Sequence, residues 1–90
     1  MILVEFLLTS RDVKLLDSIC SEIRQVCERS GVEMRGPIPL PVKVVSSQKV
    51  KVHRRIVRVE SRKDVVERIL AIPDLSRVRV EIELKGRVMI

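Results

Sequence analysis

The spacing of hydrophobic positions changes from one segment of the chain to the next. Residues Ile2 to Thr9 are almost all apolar, with Glu5 inside the run, which predicts a strand covered on at least one side. From Val13 to Cys27 the apolar residues recur every three or four positions, which predicts one amphipathic helix. Ser10 and Asp12 both suit the N-cap of that helix, because a short polar side chain can accept from its first free N–H groups.

A proline-rich arm separates this helix from a predicted hairpin. Gly31 is expected to end the helix, and proline then occupies every second position between Gly36 and Pro41. Proline holds φ at about −65° and donates no backbone hydrogen bond, so the arm cannot be a fully paired central strand. Val42 to Val45 can resume pairing, Ser46 to Gln48 offers a turn, and Lys49 to Val59 returns as a long strand.

The long returning strand changes its alternation halfway along. Its apolar residues form two groups of opposite parity, namely Val50, Val52 and Ile56, and then Val57 and Val59. Side chains of a regular strand alternate between its two faces. We therefore expect a β-bulge or a bend between His53 and Arg55.

The last third of the chain predicts a short helix and an alternating strand. Residues Ser61 to Asp64 resemble a capping box with Asp in place of Glu, and Pro73 is expected to terminate the helix. The helical residues expected to face inward are Val65, Val66, Ile69 and Leu70. The strand from Arg77 to Lys85 is expected to be half buried. Its inward residues are predicted to be Val78, Val80, Ile82 and Leu84.

The resulting order of elements is β-α-β-β-α-β. It predicts the α+β class and a ferredoxin-like arrangement, with a four-stranded antiparallel sheet and two helices on one of its faces. Ninety residues suffice for a single domain, which we expect to span residues 1–90. No membrane span is expected because the apolar runs are too short. The apolar N-terminal run has no basic residue before it, so a signal peptide is not expected either.

The positive charge of the chain is concentrated in one segment. Residues 1–42 carry five Lys/Arg and six Asp/Glu, and residues 64–90 carry five of each. Residues 43–63 carry eight Lys/Arg against Glu60 alone, so this segment contributes +7 to a formal net charge of +6. A polyanionic partner explains such a concentration, with nucleic acid ahead of a membrane surface. A well-solvated pair of strands is the alternative interpretation.

The residues that most chemistry requires are missing. The chain has a single histidine, His53, no Asn, no glycine-rich phosphate loop and no C-x-x-C motif, so we expect no enzyme, cofactor, metal site or small-molecule substrate. Cys20 and Cys27 lie two helical turns apart, about 10 Å, which is too far for a disulfide. We expect both to be buried hydrophobes. Phe6 is the one aromatic residue, so base stacking is not the expected mode of RNA binding, and phosphate contacts are.

Five short stretches occur along the chain in a characteristic order. They are Leu16 to Cys20 (Leu-Asp-Ser-Ile-Cys), Gly31 with Val32, the Arg-Gly-Pro-Ile-Pro-Leu-Pro run from Arg35 to Pro41, Val-His-Arg-Arg-Ile from Val52 to Ile56, and Val-Arg-Val-Glu-Ile from Val78 to Ile82. Together they resemble the S-ten family of small-subunit ribosomal proteins, and more closely its archaeal and eukaryotic branch. The proline run is the most specific of them.

The resemblance implies a structural protein of the cytoplasmic ribosome. Its fold would pack in the head of the small subunit, with ribosomal RNA and neighbouring small-subunit proteins as partners and no catalytic activity. Bacterial members of the family also pair with a protein partner in transcription antitermination. The residues that correspond to the RNA-contacting arm and hairpin are Arg35, Lys43, Lys49, Lys51, His53, Arg54 and Arg55. Arg58 lies on the same basic strand and completes the predicted RNA-binding set.

The chain also departs from the family pattern. Members usually carry a long hairpin after the proline run, whereas only Val42 to Lys51 bridge the two strands here. Arg58 stands where the family usually has Asp, and Arg87 to Ile90 extend past the usual end. Two functions therefore stay open. One is a trimmed ribosomal component, and the other is a paralogue that acts as an adaptor or homodimer through an exposed sheet edge or the apolar residues Val88 to Ile90.

Overall fold

A computed structural model describes residues 1–45, 47 and 49–87 of the chain. Two positions of the predicted turn, Ser46 and Gln48, and the apolar residues Val88 to Ile90 lie outside the described residues. The elements are the strands β1 (Ile2–Ser10), β2 (Met34–Pro39), β3 (Lys43–Val45), β4 (Val50–Ser61) and β5 (Arg79–Arg87), the helices α1 (Val13–Arg29) and α2 (Lys63–Leu70), and a 3-10 helix (Pro73–Arg77).

The strands form one antiparallel arrangement in the order β2-β4-β1-β5, with β3 paired to the far end of β4. The predicted α+β, ferredoxin-like fold is confirmed, but the sheet has five strands and not four. The second predicted strand is broken into β2 and β3 around Leu40 to Val42. Pro39 and Pro41 have no backbone N–H to give, although Leu40 N still donates to Arg54 O at 3.2 Å. The break follows from this loss of donors.

The core lies between one face of the sheet and the two helices. Val4, Phe6 and Leu8 of β1 are buried there, as are the residues that α1 contributes. The predicted burial of Phe6 is confirmed. The α1 residues buried against the sheet are Leu16, Ile19, Cys20, Ile23 and Cys27. We call this side of the sheet the helix face and the opposite side the open face.

The ends of α1 follow the sequence. Asp12 is its N-cap and accepts from Lys14 N at 3.0 Å and Leu15 N at 3.1 Å, while the hydroxyl of Ser10 accepts from Asp12 N at 3.0 Å. Gly31 follows the C-cap with φ of 67°, the left-handed conformation that ends many helices. Both predicted ends of this helix are confirmed.

The predicted start of α2 is wrong. Ser61 is still the last residue of β4 and is fully buried, so Arg62 occupies the N-cap. Its guanidinium has no acceptor atom and cannot cap the free N–H groups of the helix. The helix then ends at Leu70 after only eight residues, with Leu70 44% exposed against the prediction that it faces inward. Pro73 does not directly end α2 but begins the 3-10 helix that follows.

The far half of β5 is uncovered. Val78 and Val80 pack against the core as predicted, but Ile82 and Leu84 are 47% and 69% exposed. These two residues pair with Phe6 and Val4 and so point to the helix face, as their alternation requires. Their exposure shows that the helix layer does not cover this half of the strand. The direction was predicted correctly and the burial was not.

The predicted bulge in the long strand is also misplaced. The register of β4 against β1 runs without a shift from Ser10 paired with His53 to Ile2 paired with Ser61. The shift lies in β2 instead, between Arg35 and Ile38. Gly36, inside that shift, has φ of 104°, and a Cβ there would lie 2.6 Å from Ile56 O. The two parities of β4 therefore mark two faces of one regular strand.

Candidate nucleic-acid interface

Because β4 alternates regularly, its cations are divided between the two faces of the sheet. Arg54 and Arg58 point to the open face together with Ile56, whereas Arg55 points to the helix face together with Val57. By the same alternation, Lys51 and His53 lie on the side of the strand that carries Arg55. The predicted RNA-binding residues of β4 thus share one strand but not one surface.

Arg55 is tied to the helix layer. Its Nε lies 3.7 Å from Asp17 Oδ1 of α1, its Nη1 donates to Arg54 O at 3.0 Å, and its side chain is only 16% exposed. Burial raises the pKa of the adjacent Cys20 thiol to about 11, with the charge of Asp17 adding to the rise and that of Arg55 opposing it. Burial likewise raises the pKa of Cys27. Both thiols are free and buried, as predicted.

A second group of predicted residues, Arg35 and Arg58, lies on the open face among acidic side chains. Arg58 Nε donates to Glu5 Oε2 at 2.9 Å, and Glu5 is only 14% exposed. Arg35 and Arg58 line a shallow depression that Glu33 and Glu60 also line. The charge of Arg58 is therefore offset by Glu5, and Arg35 shares its depression with the carboxylates of Glu33 and Glu60.

A third group lies nearer the hairpin on the same face. Lys43 and Arg54 line a groove of about 410 Å³ together with Leu7, Thr9, Val52, Arg79 and Glu81. Arg54 Nη2 donates to Pro41 O at 3.1 Å, which holds the guanidinium beside the proline arm. Within the described part of the chain, neither Lys43 nor Arg54 has a carboxylate oxygen within 4 Å.

The hairpin carries the remaining cations into solvent. All three residues of β3 are exposed, and so are Lys49 in the turn and Lys51 on β4. β3 pairs with β4 only, and the molecule is elongated, with extents of 48 × 23 × 17 Å. Among residues 1–45, 47 and 49–87, no acidic side chain forms an ion pair with Lys49 or Lys51. The hairpin is therefore a basic projection with valines between its lysines.

Sequence reasoning missed one cation of the groove. Arg79 lies on β5, in a segment whose charges sum to zero, so a charge count draws no attention to it. Its predicted outward direction was the available signal, because Thr9 of β1 pairs with Arg54 on one side and with Arg79 on the other. The topology was needed to bring the two arginines together.

The described residues offer little else in the way of a site. They contain no group of three His, Cys, Asp or Glu side chains that could hold a metal ion. In the same part of the chain, the helices are too short or too polar to cross a bilayer.

Known proteins are similar to this sequence over most of its length. The family described as Ribosomal protein S10p/S20e matches residues 5–85. Small ribosomal subunit protein uS10 of Thermoplasma acidophilum is 29% identical over 95 residues, which cover 88% of this chain and 91% of the relative. The uS10 protein of Picrophilus torridus is 32% identical over 95 residues, with 88% and 92% covered.

The alignment lengths also show that this chain is shorter than its relatives within the matched region. In both matches, 88% of the 90 residues is about 79 residues, whereas the match runs over 95. About 16 aligned positions therefore have no counterpart in this chain. The difference lies inside the matched region, since more than nine-tenths of each relative takes part. The fold, the ordered motifs and a match across residues 5–85 agree, and the chain belongs to the ribosomal protein S10p/S20e family.

Proposed function

We propose that this chain binds ribosomal RNA in the head of the small subunit, through phosphate contacts from the proline arm and the basic hairpin. As a family member it is a structural protein of the small subunit in the cytoplasmic ribosome, and not an enzyme. The finer claim concerns which residues touch RNA. The observation that supports it best is the set of exposed hairpin cations that no described carboxylate neutralises.

The cations differ in how much they can contribute. Lys43, Lys49 and Lys51 project into solvent at the hairpin, so their charge remains available to a polyanion. Arg55 and Arg58 already face Asp17 and Glu5. A phosphate that bound these two would compete with a carboxylate, which lowers the gain in free energy. We therefore assign the RNA contacts first to the hairpin lysines and Arg54, next to Arg35 and His53, and last to Arg55 and Arg58.

The shortened match supports a short reach for this hairpin. The relatives carry about 16 aligned positions that this chain lacks, which is the size of a hairpin extension. The pairing of β3 ends at Val45, and β4 begins at Val50. We infer that the hairpin contacts RNA near the surface of the head and does not extend far between its components.

Co-sedimentation with small subunits tests this function. A chain with Lys43→Glu, Lys49→Glu and Arg54→Glu should leave the small-subunit fraction, because each substitution turns an attraction to phosphate into a repulsion. A matched control with Lys14→Glu, Arg29→Glu and Lys63→Glu reverses three exposed cations of the helices and should co-sediment like the unaltered chain. Equal retention of the two variants would contradict the assignment to the hairpin.

An adaptor or homodimer outside the ribosome is the second candidate. The observation in its favour is β5, an edge strand whose Ile82 and Leu84 are exposed. An edge strand with apolar side chains can pair with a strand of another chain. An adaptor or homodimer should form a protein complex that survives high salt and nuclease treatment. A chain bound to RNA should instead dissociate under each of these treatments.

A further inference from the structure

The groove beside the hairpin contains a row of three residues from three strands. Thr9 of β1 is the register partner of Arg54 on β4 and also of Arg79 on β5. Direct partners in an antiparallel sheet share a face, and all three side chains line the same groove. Neighbouring strands are about 4.8 Å apart, so the two arginines lie on either side of the Thr9 hydroxyl.

The two arginines are held in different ways. Arg54 Nη2 donates to Pro41 O, while its Nε is buried without a hydrogen-bond partner in the described residues. Arg79 Nη2 lies 3.1 Å from Glu81 Oε1, but the side chains are 75% and 53% exposed, so water screens this pair strongly. With Lys43 also present, the groove contains three cations and the single carboxylate of Glu81. It carries a net charge of +2.

This arrangement suits a singly charged tetrahedral anion attached to a sugar. Guanidinium groups bind phosphate oxygens through paired N–H donors, and a threonine hydroxyl can donate a further bond. Leu7 and Val52 supply an apolar wall on which a ribose can pack. A groove with an open end also allows the strand to enter and leave, as a chain of phosphodiesters requires.

We propose that Arg54 and Arg79 clamp one backbone phosphate of an RNA strand over Thr9, with Lys43 at the hairpin end of the groove. This inference rests on the proposed function and adds a residue of the last strand, Arg79, to the RNA surface. It also defines the path of the RNA. The strand leaves the hairpin across the open face towards β5, on the side of the sheet that carries no helices.

Two measurements on the full chain test the clamp. In NMR spectra, a ten-residue oligouridylate should shift the backbone amides of Thr9, Val52 and Arg79 saturably, whereas sodium chloride at equal ionic strength should not. In filter binding to small-subunit ribosomal RNA, Arg79→Gln should weaken affinity at least fivefold. It should also lower the slope of log affinity against log salt by about 0.7 to 0.9, the value for one phosphate. Arg79→Lys should recover part of the loss.

Arg77→Gln is the matched control, because Arg77 is an exposed arginine two positions away that faces Asp74 outside the groove. It should change affinity less than twofold. Equal effects of the two variants, with the unaltered chain still bound to RNA, overturn the clamp and leave the proposed function intact. An unaltered chain that binds no small-subunit RNA overturns both.

Two further probes, inorganic phosphate and an acidic peptide, distinguish RNA from other sources of the anion. Inorganic phosphate that shifts the groove amides at a lower concentration than the oligouridylate would make this a free-anion site and contradict the proposal. A decaglutamate peptide that shifts them as strongly as the RNA would assign the groove to an acidic protein and contradict it as well. Preference for the oligouridylate over both probes supports the phosphodiester clamp.

Discussion

The two halves of β4 differ, because one end of the strand is buried in the core and the other end lies in an exposed, basic hairpin. From Val57 to Ser61 its alternate residues are fully buried beneath the helices. From Val50 to Val52 the same strand pairs with the exposed β3 and carries Lys51 into solvent. Like charges concentrate where burial contributes least to the fold. None of the described hairpin residues from Lys43 to Val52 belongs to the buried core, so the fold can tolerate the concentration of positive charge there.

Truncation of one apolar side chain paired with each half of β4, Phe6 opposite Val57 and Val44 opposite Lys51, should give the widest contrast. Phe6→Ala removes a fully buried ring and should lower the free energy of unfolding by about 3 to 5 kcal/mol. Val44→Ala removes methyl groups from a side chain that is 60% exposed, and should change the free energy of unfolding by less than about 0.5 kcal/mol. Urea unfolding followed by circular dichroism measures both. Comparable losses would show that the hairpin is part of the folding core.

The junction of β2 with β4 offers a test of backbone fit. Gly36→Ala should cost about 3 kcal/mol, because φ is 104° and the new Cβ would overlap Ile56 O. Gly31→Ala shares a positive φ but meets no atom within 4 Å, and should cost about 1 kcal/mol. Unfolding free energies of the two variants give the difference directly. A smaller loss at Gly36 than at Gly31 would mean that β2 can move away from β4 at no cost.

The folded protein should lose stability in alkaline solution because the thiol of Cys20 is buried. Its pKa is about 11 in the folded protein and 9.0 as the ordinary value, so the unfolded chain ionises first. Stability is full below pH 9 and falls as pH rises from 9 to 11, by about 2 kcal/mol at pH 10.5. Cys20→Ala should remove this part of the pH dependence. Urea midpoints at pH 7.5 and 10.5 measure this loss. If the midpoint fell by the same amount between the two pH values in the unaltered chain and in Cys20→Ala, the burial of the thiol would be contradicted.

Much of the fold around β1 and α1 could be predicted from the sequence, because local sequence preferences and core packing favour the same structure there. The spacing from Val13 to Cys27, the cap at Asp12 and the aliphatic run after Met1 each indicate one structure, and the structure adopts it. Alternation also predicted the direction of Ile82 and Leu84 correctly. Their exposure was not predictable, because it depends on how far the helix layer extends over the sheet.

The candidate site was harder to predict because it is made by pairing between distant strands. A charge count finds the basic segment but treats Arg54 and Arg55 alike, although the register sends them to opposite faces. The misplaced bulge had the same origin, since the change of parity was assigned to a distortion and not to the two faces of one regular strand. Arg79 needed the full order β2-β4-β1-β5 before it could be placed beside Arg54.

The salt dependence of binding to small-subunit ribosomal RNA tests most directly whether the hairpin cations, and not those of the helices, contact RNA. Neutralising the hairpin with Lys43→Gln, Lys49→Gln and Lys51→Gln should reduce the slope of log affinity against log salt by about 2 to 3, at unchanged unfolding free energy. Neutralising Lys14, Arg29 and Lys63 on the helices in the same way should leave the slope within about 0.5 of the original. A slope that falls equally in both variants, or only in the helix variant, would contradict the account.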